Sequence, residues 1–406
     1  MDCYDVIIIG SGPAGAATAL HLLKADPALA GHVLVLDKAV HPREKICAGG
    51  LIPHTLDCLN VLDVPLTVPH VHVDRAFVRV PPGQVVACQD GGMCSIVRRN
   101  EFDFLLAQAA QERGAELRQG EKVRELVREL DGIRVLTEKA TYRTRVVVGA
   151  DGSGSRVRRQ LVGEARQPVG KAVMSDVPVS ETGWDGFARQ RYEFNFLPVQ
   201  NGLRGYLWAF PCLIDQVPHV NIGVYSLGTA SLANAALRQC LTQEIDRISS
   251  PDRTELPRRL RAFPIYGYDP QRPLAAPHVV LAGDAAGAEP LMGEGISFAL
   301  EYGAFAAQAV LRALHTQDFT FGDYTQSITQ SWMGKKLARL SFATKLFYGR
   351  TALIWFTLAA RSRRLQSVGL KWYNGVDGWH QRSGWDAARA ILRGRPIRAS
   401  ARANGG

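Results

Sequence analysis

The spacing of hydrophobic residues changes several times along this chain. Tyr4-Asp-Val-Ile-Ile-Ile9 is a short β-branched run of the kind found in buried parallel strands. A helix is expected from Ala16 to about Lys24, then a second strand at His32-Val-Leu-Val-Leu-Asp37. A similar unit follows, with a helix over Phe102 to Arg113 and a strand at Thr144-Arg-Val-Val-Val-Gly-Ala150. Between about 168 and 225 the period drops to two. Tyr192, Phe194 and Phe196 alternate with polar residues, as do Tyr206, Trp208 and Phe210 with smaller ones, and Val220, Ile222 and Val224 repeat the pattern. That predicts an antiparallel sheet with one covered face. His278-Val-Val-Leu-Ala-Gly-Asp284 returns to the first pattern and feeds a long helix from about Gly295 to Leu314. Beyond Phe321 the sequence reads as helical and basic, with a ragged Arg/Ala/Gly end expected to be disordered.

Composition narrows the class. The chain has 406 residues, 46% hydrophobic and 21% charged, which suits two domains and excludes wholesale disorder. Its longest apolar run, Ala352 to Ala360, is interrupted by Thr357 and is too short for a span. Asp2 and Asp5 with no basic leader argue against a signal peptide. The cysteines at 3, 47, 58, 88, 94, 212 and 240 are odd in number and include no Cys-x-x-Cys. A disulfide framework and a zinc site are therefore not expected, and a reducing cytoplasmic compartment is. His70-x-His72 lacks an acidic or cysteine partner and reads as structural, so no metal is expected. The net charge of +10 is uneven. From Ser331 to Gly406 there are 15 Lys and Arg against Asp377 and Asp386, whereas the first 330 residues hold 33 basic and 36 acidic side chains. Such a tail suits nucleic acid, anionic lipid or a solvated surface. It lacks regularly interleaved aromatics or a zinc or RNP motif, which disfavours nucleic acid.

Gly10-x-Gly12-x-x-Gly15 follows a strand and opens a helix, and Asp37 ends the next strand 22 residues beyond Gly15. That context is the dinucleotide signature. Gly10 permits the tight turn, Gly12 lets backbone approach a pyrophosphate, and Gly15 allows close helix–strand packing. The helix N-terminus offers N–H groups to phosphate, and Asp37 would accept hydrogen bonds from ribose hydroxyls.

Three further motifs carry a resemblance. Arg99-Asn-Glu-Phe-Asp103, Gly149-Ala-Asp-Gly-x-x-Ser-x-Val-Arg158 and Gly283-Asp-Ala-Ala-Gly287 resemble those of the p-hydroxybenzoate-hydroxylase superfamily of FAD proteins. The resemblance implies that Asp284 meets the flavin ribitol, that Asp151 lies near the pyrophosphate, and that Arg99 contacts the cofactor. Gly293-Glu-Gly295 would aim a helix N-terminus at the flavin and stabilise its reduced anion. No second Gly-x-Gly-x-x-Gly and no redox cysteine pair occur, against the disulfide reductases. Within the superfamily, Glu44-Lys-Ile-Cys-Ala-Gly-Gly-Leu51, Tyr206-Leu-Trp-Ala-Phe-Pro211 and Val220-Asn-Ile-Gly-Val224 resemble segments of geranylgeranyl reductases. Ala48 departs from the family glycine, and Cys212-Leu-Ile-Asp-Gln216 replaces its Lys-Gly.

The fold implied is α/β with an antiparallel component. A Rossmann-like FAD-binding domain (1–165 and 270–325) carries an inserted antiparallel-sheet substrate domain (166–269), with a basic helical region at 326–406. The resemblance implies catalytic roles for Cys47, Tyr206 and Trp208. Beside Gly10, Gly12, Gly15, Asp37, Arg99, Asp151 and Asp284, it assigns Pro13, Ala14, Lys38, Lys45, Cys47, Ala48, Gly50 and Val123 to the cofactor. Gly283, Pro290, Gly293, Gly295 and Ile296 complete that set. The bland alternatives are a core strand for the aromatics and a buried, inert thiol for Cys47.

The expected activity is reduction of C=C bonds in an isoprenoid or similarly apolar small substrate, with NADPH or another carrier as electron donor, although no docking motif for a donor is present. The alternative is an FAD-dependent monooxygenase or halogenase acting on an aromatic or secondary-metabolite substrate. Gly205-Tyr-Leu-Trp-Ala-Phe-Pro211 departs from the halogenase Gly-Trp-x-Trp-x-Ile-Pro pattern at two fixed positions. The halogenase Gly-Glu-Ser loop is absent, and no lysine occurs between Ile46 and Glu121 where that chemistry needs one. Residues from about 330 to 375 suit either a helical cap or a membrane-surface element at the inner face of the membrane. Phe347, Ile354, Trp355, Phe356 and Leu358 supply the apolar surface, among Lys335, Lys336, Arg339, Lys345, Arg350, Arg361, Arg363, Arg364 and Lys371. The sequence leaves oligomeric state open.

Overall fold

The computed structural model describes residues 2–375 apart from 82, 89–93, 164–169, 180–183, 229–233 and 249–259. The Arg/Ala/Gly end lies outside the described residues. The chain opens with β1 (Asp2–Ile9), α1 (Pro13–Ala25) and β2 (Val33–Leu36). Next come β3 (Gly50–Leu51), α2 (Pro53–Val61), β4 (His70–Val73), β5 (Arg75–Val80), β6 (Gln84–Cys88) and β7 (Cys94–Val97). Then follow α3 (Arg99–Glu112), β8 (Glu116–Arg118), β9 (Val123–Glu129), β10 (Gly132–Thr137) and β11 (Thr141–Gly149). The middle holds β12 (Gly170–Pro178), β13 (Arg191–Asn195), β14 (Gly205–Ile214), β15 (Val217–Leu227), α4 (Asn234–Ile248) and β16 (Arg261–Ile265). The remainder is β17 (Ala275–Ala276), β18 (Val279–Leu281), α5 (Ile296–Thr316), α6 (Tyr324–Gln330), α7 (Trp332–Phe347), α8 (Ala352–Arg361) and α9 (Arg363–Asn374).

One sheet runs β17-β18-β11-β1-β2-β8, with β10 and β9 added antiparallel beside β11. The β18, β11, β1, β2 and β8 pairings are parallel. Val6, Ile7 and Ile8 are wholly buried, as their unbroken β-branched run requires of a strand covered on both faces. Helix α1 begins at Pro13, three residues before the predicted start, because proline is pre-set for a first turn and loses no hydrogen bond there. Helix α3 likewise begins early, at Arg99. It leads first to the edge strand β8, and the β9–β10 hairpin intervenes before β11.

The second sheet runs β16-β12-β15-β14-β13-β5-β6. It is antiparallel apart from the β13–β5 pair. Strands β5 and β6 join it from a region the period-two reading did not include. The partner of β5 is β13, more than 110 residues away, so no local pattern announces the pairing. The two faces divide as the alternation demands. Leu207, Ala209, Ile222 and Val224 pack with Leu237, Leu241 and Ile245 of α4. Phe194, Tyr206, Trp208, Phe210 and Tyr225 join the main core.

Helices α8 and α9 pack against β5 and β6 of this sheet and α7 packs against α8, with Leu337, Leu340, Phe356 and Leu370 buried. Ser331 and Ser362 cap α7 and α9 through Gly334 N–H (3.2 Å) and Leu365 N–H (3.3 Å). Among the described residues, no helix is long and apolar enough to cross a membrane.

The Asp215-Gln216 departure forms the two-residue turn between β14 and β15, with both residues left-handed (φ 50° and 64°). Such hairpin turns favour glycine at the second position. A non-glycine residue there costs about 1 kcal/mol. Gln216→Gly is therefore expected to raise stability by about that amount, and Gln216→Val to lower it. Thermal unfolding of the two variants beside the parent checks the sign.

Candidate functional site

A cavity of about 600 Å³ lies beyond the C-terminal ends of β1, β2 and β11, where open α/β sheets take their ligands. Gly10, Gly12, Pro13 and Ala14 line one end. Gly10 has φ 105°, and a Cβ on it would stand 2.3 Å from the Ala150 carbonyl oxygen. At Gly15 a Cβ would stand 1.8 Å from the Gly10 carbonyl oxygen. A Cβ on Gly12 would meet nothing nearer than Arg43 Nη2 at 3.4 Å. Gly12 is the N-cap of α1, with no side-chain cap and no acid in the first turn. The first N–H groups of that helix are thus left to a ligand. Helix α5 lies close against α1, where a Cβ on Gly303 would fall 2.7 Å from Ala17 Cβ. Its N-terminal residues Gly293, Gly295 and Ile296 line the same cavity. Two helix N-termini therefore converge on one space.

The polar groups around it are arranged for a large, anionic, hydroxyl-rich ligand. Asp37 Oδ2 accepts hydrogen bonds from Ser11 N (2.9 Å) and Ser11 Oγ (2.6 Å), and its Oδ1 accepts from Ala39 N (2.9 Å). Burial opposes its charge, but the Ser11 and Ala39 hydrogen bonds and nearby Arg43 outweigh burial and hold the carboxyl below its usual range. Asp151 Oδ2 accepts from Arg156 N (2.6 Å), while its buried Oδ1 has no partner. Asp284 accepts from Ser153 Oγ at 3.3 Å. Lys45 Nζ stands 3.2 Å over the Phe263 ring, and burial pushes its pKa down to about 8. Arg99 is held by Asp103 through two bonds of 2.7 and 2.9 Å. These features fit FAD. Gly12, Ala14 and the first turn of α1 would hold its diphosphate, near Asp151, with Asp37 and Asp284 for its hydroxyls.

The opposite wall is aromatic and comes from the second sheet. Tyr206, Trp208 and Phe210 of β14 line the cavity with Phe194 and Tyr225. The Trp208 Nε1–H donates to Asn221 Oδ1 (2.7 Å), and Asn221 Nδ2 donates to Asp176 (2.6 Å). Asp176 pairs with Arg98 at 2.8 Å. The indole lies against Gly223, where a Cβ would stand 2.1 Å from a ring carbon. The Tyr-x-Trp and Val-Asn-x-Gly segments are thus one device across the β14–β15 ladder: the asparagine satisfies the indole and the glycine seats it. Cys47 lines the cavity on the loop before β3. Its Sγ accepts from Gly49 N at 3.4 Å. Gly49 needs its glycine (φ 81°, with Val97 O 1.9 Å from a would-be Cβ). Ala48 has no positive φ, which is why its departure from glycine is tolerated.

A second, carbon-walled cavity of about 230 Å³ lies between β5, β6 and β13 and helices α7 to α9. Phe194, Met292, Glu294 and Tyr373 line both cavities. Tyr373, from α9, stacks edge-on to Phe194 at 5.7 Å.

Lys38, Ala48, Gly50 and Val123, which the resemblance assigned to the cofactor, line the larger cavity. Three assigned residues do not. Gly15 packs under the Gly10 turn, and Gly283 abuts Ala14, 2.7 Å from a would-be Cβ. Pro290 is occupied by Tyr225, whose hydroxyl donates to its carbonyl at 2.8 Å. Sequence reasoning missed Arg43, which reaches Asp103 at 3.2 Å and Asp37 at 3.8 Å. It also missed Tyr373, and Glu289, which is wholly buried and clamps the approach to α5 by accepting from Met292 N (2.8 Å) and Glu294 N (3.2 Å). Burial pushes the Glu289 carboxyl up to about 7. His70 and His72 bond to each other at 3.1 Å. His54 and Cys58 both reach Glu301, at 3.0 and 3.7 Å, in a hydrogen-bonded cluster with spacing a metal would also accept.

The glycines separate fold from ligand. Gly12→Leu should leave circular dichroism unchanged and lower flavin affinity by about tenfold or more, because its side chain has only the cavity to enter. Gly10→Leu should instead cost soluble protein. Asn221→Ala strands the Trp208 N–H and should lower stability by about 1–3 kcal/mol, read by chemical denaturation.

Comparison with known proteins agrees with this geometry. The model of the FAD binding domain family matches residues 3–313. An uncharacterized protein of Methanosarcina barkeri is 31% identical over 360 residues, covering 87% of this chain and 86% of that protein. Geranylgeranyl diphosphate reductase of Rhodobacter capsulatus is 30% identical, covering 77% of this chain and 76% of that one. Menaquinone reductase of Mycolicibacterium smegmatis is 31% identical, covering 75% of each. A geranylgeranyl bacteriochlorophyll reductase-like structure from Thermoplasma acidophilum superposes with TM-score 0.66 at 19% identity, over 97% of this chain and 96% of that one. The flavin-dependent brominase Bmp2 gives 0.70 at 18% identity, over 97% and 100%, which speaks to the fold alone. The chain belongs to the FAD-binding domain family of oxidoreductases, together with the geranylgeranyl reductases.

Proposed function

We propose that the protein reduces carbon–carbon double bonds of an isoprenoid substrate. The observation that carries this reading is the carbon-walled cavity that adjoins the FAD-type cavity through Phe194, Met292, Glu294 and Tyr373. The reductases among its relatives support it. Bound and reduced, FAD supplies a hydride, with NADPH or another small carrier as the source of electrons.

An isolated alkene has no carbonyl to polarise, so the chain's own residues must orient it, exclude water and deliver a proton. The aromatic wall supplies orientation. Trp208 is fixed by Asn221 and Gly223, and Tyr206 by its hydroxyl bond to the Met292 carbonyl. Phe194 and Tyr373 divide the polar end from the apolar one. Among the cavity side chains that can hold a proton are Cys47 at Sγ and Lys45 at Nζ. A lysine whose pKa is lowered to about 8 is protonated at neutral pH and parts with its proton more readily than an ordinary one.

The test is anaerobic. Photoreduced protein is mixed with geranylgeranyl diphosphate or prenyl lipids, and the products are weighed. A gain of two hydrogens per reduced bond supports the reading; oxygen-dependent hydroxylated or halogenated products would move the protein to the alternative chemistry. Trp208→Ala should raise KM for apolar substrate more than it lowers kcat. Lys45 loses its proton as pH rises, so turnover should fall through about pH 8, and Lys45→Met should abolish that limb. Cys47→Ser should retain flavin and lose turnover. If the limb survives in Lys45→Met and Cys47→Ser turns over normally, neither residue is the proton carrier.

A further inference from the structure

We infer that α8 and its flanking helices form a docking surface for an anionic lipid bilayer. Helix α8 has two apolar faces, one more than a helical cap needs. Ala352 and Phe356 are buried, and Phe356, Ala359 and Ala360 wall the smaller cavity. The opposite side presents Ile354 and Leu358, 61% and 47% exposed, with Leu353 and Trp355 on the flanks. Phe342 of α7 is also exposed. Five of the ten large apolar side chains exposed among the described residues therefore fall within 17 positions. A patch this concentrated marks an interaction site rather than ordinary surface.

Charge selects the partner. From Ser331 to Gly375 the chain holds nine Lys and Arg and no Asp or Glu. Lys335, Lys345, Arg350, Arg361, Arg363 and Lys371 are exposed. Arg361 follows Ile354 and Leu358 at helical spacing, so a cation stands on the same side as the apolar residues. Exposed apolar side chains and cations on one stretch of chain that holds no acid suit acyl chains beneath anionic headgroups. A second copy of this chain would bring the same cations against themselves.

The geometry also supplies a purpose, and this part rests on the reductase reading. The outward face of α8 and the cavity wall are one helix diameter apart, about 10 Å. A lipid-dissolved substrate would cross only that distance to reach the carbon-walled space. Binding to the bilayer is measured without turnover, so it stands or falls independently of the chemistry.

The experiment is co-sedimentation of full-length, flavin-loaded protein with vesicles of phosphatidylcholine alone or with about 30% phosphatidylglycerol. The protein should pellet with the anionic vesicles and leave them as salt rises. Ile354→Asp with Leu358→Asp should lower binding by about tenfold or more while flavin content and solution activity stay at parent levels. Arg361→Glu with Arg363→Glu should weaken it similarly and flatten the salt dependence. Equal recovery in the supernatant with and without anionic lipid overturns the proposal. So does light scattering that shows a dimer dissolved by Ile354→Asp with no vesicle binding, because the face would then belong to a second copy. Vesicle binding indifferent to both double variants overturns it too.

Discussion

Everything at the site depends on backbone approaching backbone without intervening side chains. The Gly10 turn fits against Ala150, α1 fits against that turn through Gly15, and α5 fits against α1 through Gly303. At each contact the space for a Cβ is already filled, mostly by main-chain atoms. The reward is convergence: two helix N-termini, each with partial positive charge, meet at one cavity. Their fields are focused on the space that the diphosphate and ring system of FAD would fill. Had either helix stood off by the thickness of a methyl group, one end of the ligand would lose its donors.

This half of the molecule was legible in the sequence because its constraints are local. Glycines at fixed spacing, an acid at the end of the next strand, and unbroken β-branched runs each state a backbone requirement within a few residues. The other half was legible only in outline. Alternating aromatics identified the wall and its face, yet β5 and β6 complete the sheet from far away in the chain. Tyr373 reaches both cavities from a helix whose sequence shows only basic, amphipathic character. Gly283 and Pro290 lie beside lining residues, and a motif cannot say which of its members faces in and which supports from behind. Asn221 and Gly223 were readable as a resemblance, but their shared purpose emerges only when the β14–β15 register places both against one indole.

The C-terminal helices change what the protein is made of, in functional terms. The sequence offered a packed cap or a membrane element as alternatives. The inner faces of these helices are packed, and they do more than cover: they build about half of the carbon-walled cavity. A nucleotide-binding core found in many oxidoreductases is thereby given an apolar annex by elements outside the residues that match the family. Substrate preference is then expected to vary among relatives with these helices more than with the glycine-rich half.

The seat of Trp208 on Gly223 has an evolutionary consequence. Most walls of a binding cavity can be adjusted by degrees, one methylene at a time. Here the order of change is fixed, because a side chain beneath the ring would fall within the indole itself. The ring can be trimmed while the glycine stays, but the glycine cannot gain a side chain until the ring has gone. A lineage that filled the space beneath would have to give up the indole first.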